Sequence, residues 1–165
     1  MKNAIFLLVM ILTFSFNSFS QVEKNTWMIG GSAGFNNYHN KASGTNSSLL
    51  QINPRLGFFF ADNFAVGAVF GINNFGSVKS WSVSPFVRYY LKYLFTELSY
   101  GLKRETIGDI SDNSSVLKGS IGYAVFLNDN VALEPSLYYS QNFAGGKTYG
   151  SNYGIQLGLQ IYLNR

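Results

Sequence analysis

The chain has 165 residues, of which 17% are aromatic and only 12% are charged, and its formal net charge is +4. Soluble domains carry about 25% charged residues, so this composition argues against an ordinary water-soluble surface. The small positive charge gives no reason to expect nucleic-acid binding. Because the sequence contains no cysteine, disulfides and cysteine-ligated metals are excluded.

The first 20 residues have the three parts of a secretory signal peptide. Lys2 gives a positive start, Ala4 to Phe16 form an apolar core, and Ser18-Phe19-Ser20 is a small-x-small cleavage site. The apolar run is shorter than the roughly 20 residues that a spanning helix needs. We therefore predict a signal peptide over residues 1–20 and one domain over residues 21–165, which has a net charge of +3 once Lys2 is removed.

After the leader, eight segments alternate apolar residues with small or polar ones, which is the period-two pattern of a β-strand. The clearest two are joined by the turn residues Ala61-Asp62-Asn63, which predicts a β-hairpin. In chain order, the predicted strands are Thr26 to Asn36, Leu50 to Phe60, Phe64 to Asn73, Ser80 to Leu91, Leu94 to Arg104, Ser115 to Leu127, Val131 to Asn142 and Ser151 to Leu163.

The connections between these strands alternate in length. Tight turns are predicted at Ala61-Asp62-Asn63, Lys92-Tyr93 and Asn128-Asp129-Asn130, and longer loops at Asn37 to Ser48, Asn74 to Lys79, Glu105 to Ser114 and Phe143 to Gly150. Transmembrane barrels have short periplasmic turns and longer outer loops. Since a signal peptide delivers the N-terminus to the periplasm, we expect the tight turns there. An even strand number also lets the last strand pair with the first.

The two faces of the predicted strands differ in chemistry. One parity is almost purely apolar, and we predict that it faces lipid. The other is rich in Gly, Ser and Ala, and its charged residues are Arg55, Arg88, Glu97, Lys103, Lys118 and Glu134. A soluble, lipocalin-like barrel would carry many more charges on its water-facing side. Aromatic residues near strand ends are typical of interfacial girdles, namely Trp27, Phe58, Phe60, Phe64, Trp81, Tyr89, Tyr139 and Tyr153.

With this leader, strand number and alternation of connections, the chain resembles the small outer-membrane β-barrel proteins typified by OmpX and the transmembrane domain of OmpA. The resemblance covers Thr26 to Leu163 and is one of pattern and length. It implies an all-β, eight-stranded antiparallel up-and-down transmembrane barrel in the outer membrane of a Gram-negative cell. Many members of this group end on an outward-facing Phe, whereas here Leu163 takes that place and Asn164-Arg165 follow.

The resemblance also implies partners. These are outer-membrane lipid and lipopolysaccharide around the barrel, and the barrel-assembly machinery during insertion. The protein is expected to be a monomer, with an extracellular ligand of unknown identity and no nucleic-acid partner.

Five inward residues are candidates for a site in the lumen. Arg55 and Arg88 come shortly before tight turns and Glu97 and Glu134 shortly after, so all four are expected at one depth, with Gln160 nearby. Eight-stranded interiors are just wide enough to be filled by side chains, and buried charges cost several kcal/mol each unless they are paired. We predict a salt-bridge network that fills the lumen, either as a structural plug or as a gate.

No catalytic, cofactor or metal site is predicted. The only histidine, His39, has no catalytic motif beside it. Glu105, Asp109 and Asp112 are either solvated loop charges or a divalent-cation site bridging lipopolysaccharide. The sequence favours a non-enzymatic outer-membrane protein with a structural, surface-binding or adhesive role through its outer loops. The alternatives are a narrow porin-like channel for small solutes and, less favoured, a lipid-modifying barrel enzyme.

Overall fold

The computed structural model describes residues 22–39, 46–75, 78–107 and 110–164. They form nine β-segments: β1 (Trp27–His39), β2 (Asn46–Ala61), β3 (Phe64–Phe75), β4 (Val78–Leu91), β5 (Leu94–Ile107), β6 (Ile110–Tyr123), β7 (Val125–Phe126), β8 (Val131–Ala144) and β9 (Lys147–Leu163). No helix in these ranges is long and apolar enough to cross a membrane. The predicted signal peptide lies outside the described residues.

These segments close into a barrel of eight antiparallel strands. The short β7 continues β6 after an interruption at Ala124, and both pair with β8. The barrel closes where β1 pairs with β9, from Trp27 opposite Leu163 to Asn36 opposite Gly154. The predicted eight-stranded, up-and-down architecture is therefore confirmed, and closure leaves no free sheet edge along this seam.

The tight turns and both termini of the described chain lie at one end of the barrel, called here the near end. Residues 62–63 and 92–93 separate paired strands, with Asn63 and Lys92 at positive φ (63° and 58°). In the third turn, the Asn128 side-chain oxygen accepts hydrogen bonds from the backbone N–H groups of Asn130 and Val131 (2.9 and 2.8 Å). This is the local bonding that makes Asn a strong turn residue, and all three predicted tight turns are confirmed.

At the opposite, far end the strands run further than predicted. Only residues 40–45, 76–77, 108–109 and 145–146 lie between the paired strands there, so the prediction of long loops was wrong for the last three connections. The residues concerned include many polar ones, and they lack the regular alternation of apolar and polar residues that marks the rest of the strands. Even so, Arg104 pairs with Asn113 and Glu105 with Asp112. Gly145 and Gly146 both have positive φ, as a two-residue hairpin turn requires.

The predicted assignment of the two faces is confirmed wherever the structure describes side chains. Apolar residues of one parity form a continuous outer belt, in which Leu102 is 59% and Leu157 is 51% exposed. Residues of the other parity, such as Met28, Phe59 and Phe95, are buried inside the barrel. A monomer in water does not expose so large an apolar surface, so the belt is suited to contact with lipid.

Near-end aromatic residues pack side by side in the outer belt. The rings of Trp27 and Phe58 are 4.9 Å apart, those of Phe60 and Phe64 are 5.0 Å apart, and those of Phe64 and Tyr89 are 6.1 Å apart. These five residues were predicted to be outward-facing and close to strand ends. Their arrangement is that of the aromatic girdle at a membrane interface.

Three prolines inside strands lie where one neighbouring ladder is interrupted. Pro54 lies one residue beyond the far-end limit of the β2–β3 ladder, which is the pair of Arg55 with Val69. Pro85 lies in a gap of the β4–β5 ladder, between the pairs of Val83 and Phe86. Pro135 faces the break between β6 and β7. Proline has no N–H to donate. Each of the three prolines lies at a position where the pairing with one neighbouring strand is already interrupted.

The near mouth of the barrel is covered by residues 22–26. The Val22 carbonyl accepts a hydrogen bond from Asn63 N–H (2.9 Å), and Asn25 N–H donates to the Phe59 carbonyl (2.8 Å). The Val22 side chain is fully buried with the near-end core, which includes Met28 and Phe59. The interior is therefore packed shut from this side.

Candidate functional site in the lumen

Four charged side chains form a continuous chain of ion pairs across the barrel interior. Glu97 Oε2 accepts from Arg55 Nη1 at 2.8 Å and from Arg88 Nη2 at 2.6 Å, and Arg88 Nη1 donates to Glu134 Oε2 at 2.6 Å. The four side chains are between 1 and 4% exposed. We call Arg55, Glu97, Arg88 and Glu134 the ion-pair chain.

The strand register explains why these residues meet. Arg88 and Glu97 are direct partners on β4 and β5. Arg55 reaches Glu97 from β2, and Glu134 reaches Arg88 from β8, so the ion-pair chain links walls on different sides of the barrel. Because removing one partner of a buried pair leaves the other charge uncompensated, this arrangement is stable only when it is complete.

Two tyrosines complete the hydrogen bonding of Glu134. Its Oε1 accepts from the hydroxyls of Tyr90 and Tyr162, both at 2.7 Å, and the two hydroxyls lie 2.8 Å apart. Arg88 Nη1 also donates to the Tyr90 hydroxyl at 2.8 Å. Sequence reasoning did not single out either tyrosine. Their inward parity was visible, but parity does not show how far a long side chain reaches across a lumen.

Aromatic rings surround the arginines of the ion-pair chain. The Arg88 guanidinium lies 4.2 Å from the centre of the Phe95 ring, and that of Arg55 lies 5.6 Å from the Phe86 ring. Stacked rings stabilise a desolvated cation and exclude water from it. The Phe86 ring fits because Gly67 has no side chain: a Cβ there would come within 2.6 Å of the ring and 2.2 Å of the Leu56 carbonyl oxygen.

Of the five residues predicted for the network, the structure joins Arg55, Arg88, Glu97 and Glu134. Gln160 is fully buried near them but bonds to the wall instead, since its Nε2 donates to the Gly31 carbonyl at 3.4 Å. Its Oε1 has no hydrogen-bond partner among the described groups. The sequence pattern predicted its depth but not the direction of its amide.

The far half of the lumen has a different lining. It is made of small polar residues, and the buried ones are Ser32, Ser80, Ser99, Ser136, Ser140, Asn142 and Gln156. Lys103 Nζ pairs with Glu105 Oε2 at 2.6 Å, and both side chains are about one-third exposed (35% and 34%). This half is therefore wetter than the half that holds the ion-pair chain.

The acidic residues considered for a cation site do not form one among the described residues. Glu105 is engaged by Lys103, Asp112 is exposed, and Asp109 lies outside the described part of the chain. Within residues 22–39, 46–75, 78–107 and 110–164, no group of three His, Asp or Glu is placed to hold a metal ion.

No family model matches the chain, and no curated protein matches it. Several solved structures, in contrast, are similar to this chain. The N-terminal β-barrel domain of Pseudomonas aeruginosa OprF has a TM-score of 0.60 at 15% identity, covering 85% of this chain and 98% of that one. The outer membrane protein OprG from Pseudomonas aeruginosa has a TM-score of 0.53 at 15% identity, covering 84% and 97%.

Ail, the attachment invasion locus protein of Yersinia pestis, has a TM-score of 0.52 at 15% identity, and the match covers 86% of this chain and 99% of Ail. At such identities the likeness is one of fold. This chain has the architecture of the small outer-membrane β-barrels, and the predicted resemblance is confirmed at that level.

Proposed function

We propose that this protein is a non-enzymatic, monomeric β-barrel of the bacterial outer membrane, closed to solutes by its own side chains. Its role is structural or surface-binding, exerted through the far-end hairpins. The observation that carries the proposal is the ion-pair chain, which crosses the lumen in a fully buried layer. A solute path would have to break at least one of these pairs, at a cost of several kcal/mol.

Membrane placement rests on the outer belt. Residues such as Leu98, Ile121 and Leu137 are more than half exposed, and the aromatic girdle borders them at the near end. Outer-membrane lipid, with lipopolysaccharide in the outward leaflet, is the solvent that this surface fits. Insertion then depends on the barrel-assembly machinery, as for other barrels of this architecture.

The surface-binding role rests on the far-end hairpins, whose polar strands continue beyond the apolar belt. Arg104, Asp112 and Asn113 are exposed there, and so are both residues of the Gly145–Gly146 turn. The name of one similar structure, Ail, refers to attachment and invasion. An extracellular partner of this protein would meet these hairpins first.

Planar-bilayer recording tests the closed lumen. We expect the wild-type barrel to show no large, steady conductance. The double variant Arg88→Ser/Glu134→Ser removes two of the three ion pairs without changing the net charge and leaves the Arg55–Glu97 pair. We expect it to open a measurable current. The matched control, Lys103→Ser/Glu105→Ser, removes a pair outside the buried layer and should stay closed. A large, steady wild-type conductance would establish the channel alternative instead.

A further inference from the structure

Lys118 lies in the lumen beyond the ion-pair chain, toward the far end. Its Nζ donates to Gln156 Oε1 at 2.6 Å and lies 4.3 Å from the centre of the Tyr138 ring. Among the residues that the structure describes, no carboxylate forms an ion pair with it. An amide and a ring face hold the ammonium group in place but do not cancel its charge.

The charges of this part of the lumen do not balance. Three cations, Arg55, Arg88 and Lys118, face two anions, Glu97 and Glu134, which leaves one net positive charge. Both carboxylates are already engaged by the arginines. A cation in such a place is costly unless a counter-charge comes close.

Two buried hydrogen-bond donors in the same part of the lumen have no acceptor among the described groups. They are Arg55 Nε, on a side chain that is 1% exposed, and the Tyr138 hydroxyl, on the ring against which Lys118 lies. Buried polar groups are nearly always hydrogen-bonded. Water is able to accept from such donors, but only an anion accepts and also removes the excess charge.

The surroundings of Lys118 suit a small ion. Its register partners on the adjacent strands are Ser99 and Ser140, whose inward side chains are buried. Lys118 itself is only partly buried as a residue, and the polar far half of the lumen lies beyond it. Charge-assisted hydrogen bonds to an anion are shorter and stronger than neutral ones.

From this geometry we propose that the lumen binds one small monovalent anion, of the size of chloride, beside Lys118 Nζ and the Tyr138 hydroxyl. A monovalent ion neutralises the single excess positive charge, whereas a divalent oxyanion would leave an excess of the opposite sign. The ion enters from the far end and rests on the layer that the ion-pair chain forms. The site needs no conduction, because the ion-pair chain closes the lumen beneath it.

Chloride titration of the refolded barrel in detergent micelles tests this. Sodium gluconate is replaced stepwise by sodium chloride at constant ionic strength, and heat unfolding is followed by the gel-mobility shift. Because an ion that binds only the folded state stabilises it by mass action, we expect a saturable rise of the unfolding midpoint. Lys118→Met should abolish the rise, while Lys103→Met, which removes an inward lysine that is already paired, should retain it.

Bromide-soaked crystals of the wild-type protein locate the ion without any variant. We expect an anomalous peak within hydrogen-bonding distance of Lys118 Nζ. The proposal is overturned if that position is empty, if wild-type unfolding is the same in gluconate and chloride, or if Lys118→Met responds to chloride like the wild type. A peak without a saturable response in solution means binding at crystal concentration only, and this also overturns it. If Lys118→Met does not fold, the chloride titration of the wild type and the position of bromide in the crystals test the proposal without the variant.

Discussion

The two halves of the barrel are built differently. In the near half, charged and aromatic side chains fill the lumen, and residues 22–26 cover the mouth. In the far half, the lumen is lined by small hydroxyls and amides. Two seams of the far half also differ from each other: the β2–β3 ladder ends at Arg55 and Val69, although both strands continue, whereas β4 and β5 pair again beyond the gap at Pro85, as far as Val78 and Ile107.

The two halves therefore contribute differently to the stability of the barrel. The near half provides cohesion, because its side chains contact one another across the lumen. The far half adds height and a polar surface but few contacts across the lumen. The same type of substitution should therefore lower the free energy of unfolding much more in the near half than in the far half.

The largest contrast is expected between two inward cations. Arg88→Met leaves Glu97 and Glu134 short of their shared partner in a dry layer, and we expect a loss of about 3–5 kcal/mol of unfolding free energy. Lys103→Met breaks a pair that is about one-third exposed, so the expected loss is at most about 1 kcal/mol. Urea unfolding in lipid bilayers, followed by tryptophan fluorescence, measures both. Equal losses would mean that the ion-pair chain is not the core of the near half.

On the outer face, the same comparison is made along β9. Leu157 lies in the middle of the belt and Tyr153 lies toward the far end, where it is paired with Tyr139. Leu157→Arg should cost about 2–4 kcal/mol at mid-bilayer, and Tyr153→Arg about 0–1 kcal/mol near the interface. The same unfolding assay in bilayers measures this. If both substitutions are neutral, the belt does not face hydrocarbon.

A smaller effect is expected from one methyl group. At Gly67, a Cβ meets the Leu56 carbonyl and the Phe86 ring, so Gly67→Ala should cost about 1–3 kcal/mol through overpacking. Gly119 has nothing within 4 Å of the same position. Gly119→Ala is therefore the control and should change the unfolding free energy little. A neutral Gly67→Ala would show that the near half is packed less tightly than its contacts indicate.

The smallest effect is local and needs no substitution. Backbone amides of residues 46–53 that point toward β3 lie beyond the paired part of the β2–β3 seam. Hydrogen exchange monitored by NMR in micelles should find them less protected, by about tenfold or more, than β4 amides bonded to β5 between Val78 and Val83. Uniform protection of the two seams would contradict the difference between them.

Much of this fold is predictable because a membrane barrel obeys a simple period. Alternation fixed the faces, and breaker residues marked the near-end turns. Distance along the strand from those turns then brought Arg55, Arg88, Glu97 and Glu134 to one depth. Each step uses only local geometry.

The rest depends on features that alternation does not encode. Strand extensions at the far end lack regular alternation, so the sequence around Glu105 and Asn113 predicts a loop. Tyr90 and Tyr162 have the right parity, but their bonds to Glu134 depend on reach across the lumen. Ladder interruptions depend on strand pairing, so the sequence alone does not explain a proline inside a strand, such as Pro85.

The seam between β1 and β9 sets a condition on how the chain acquires its structure. Trp27 pairs with Leu163, so the barrel cannot close until β9, which is synthesised after all the other strands, pairs with β1. Contacts between residues so distant in sequence slow folding. Until the barrel closes, its apolar surface and unpaired strand edges make the chain prone to aggregate. The barrel is therefore complete only when its first and last strands are both present and paired.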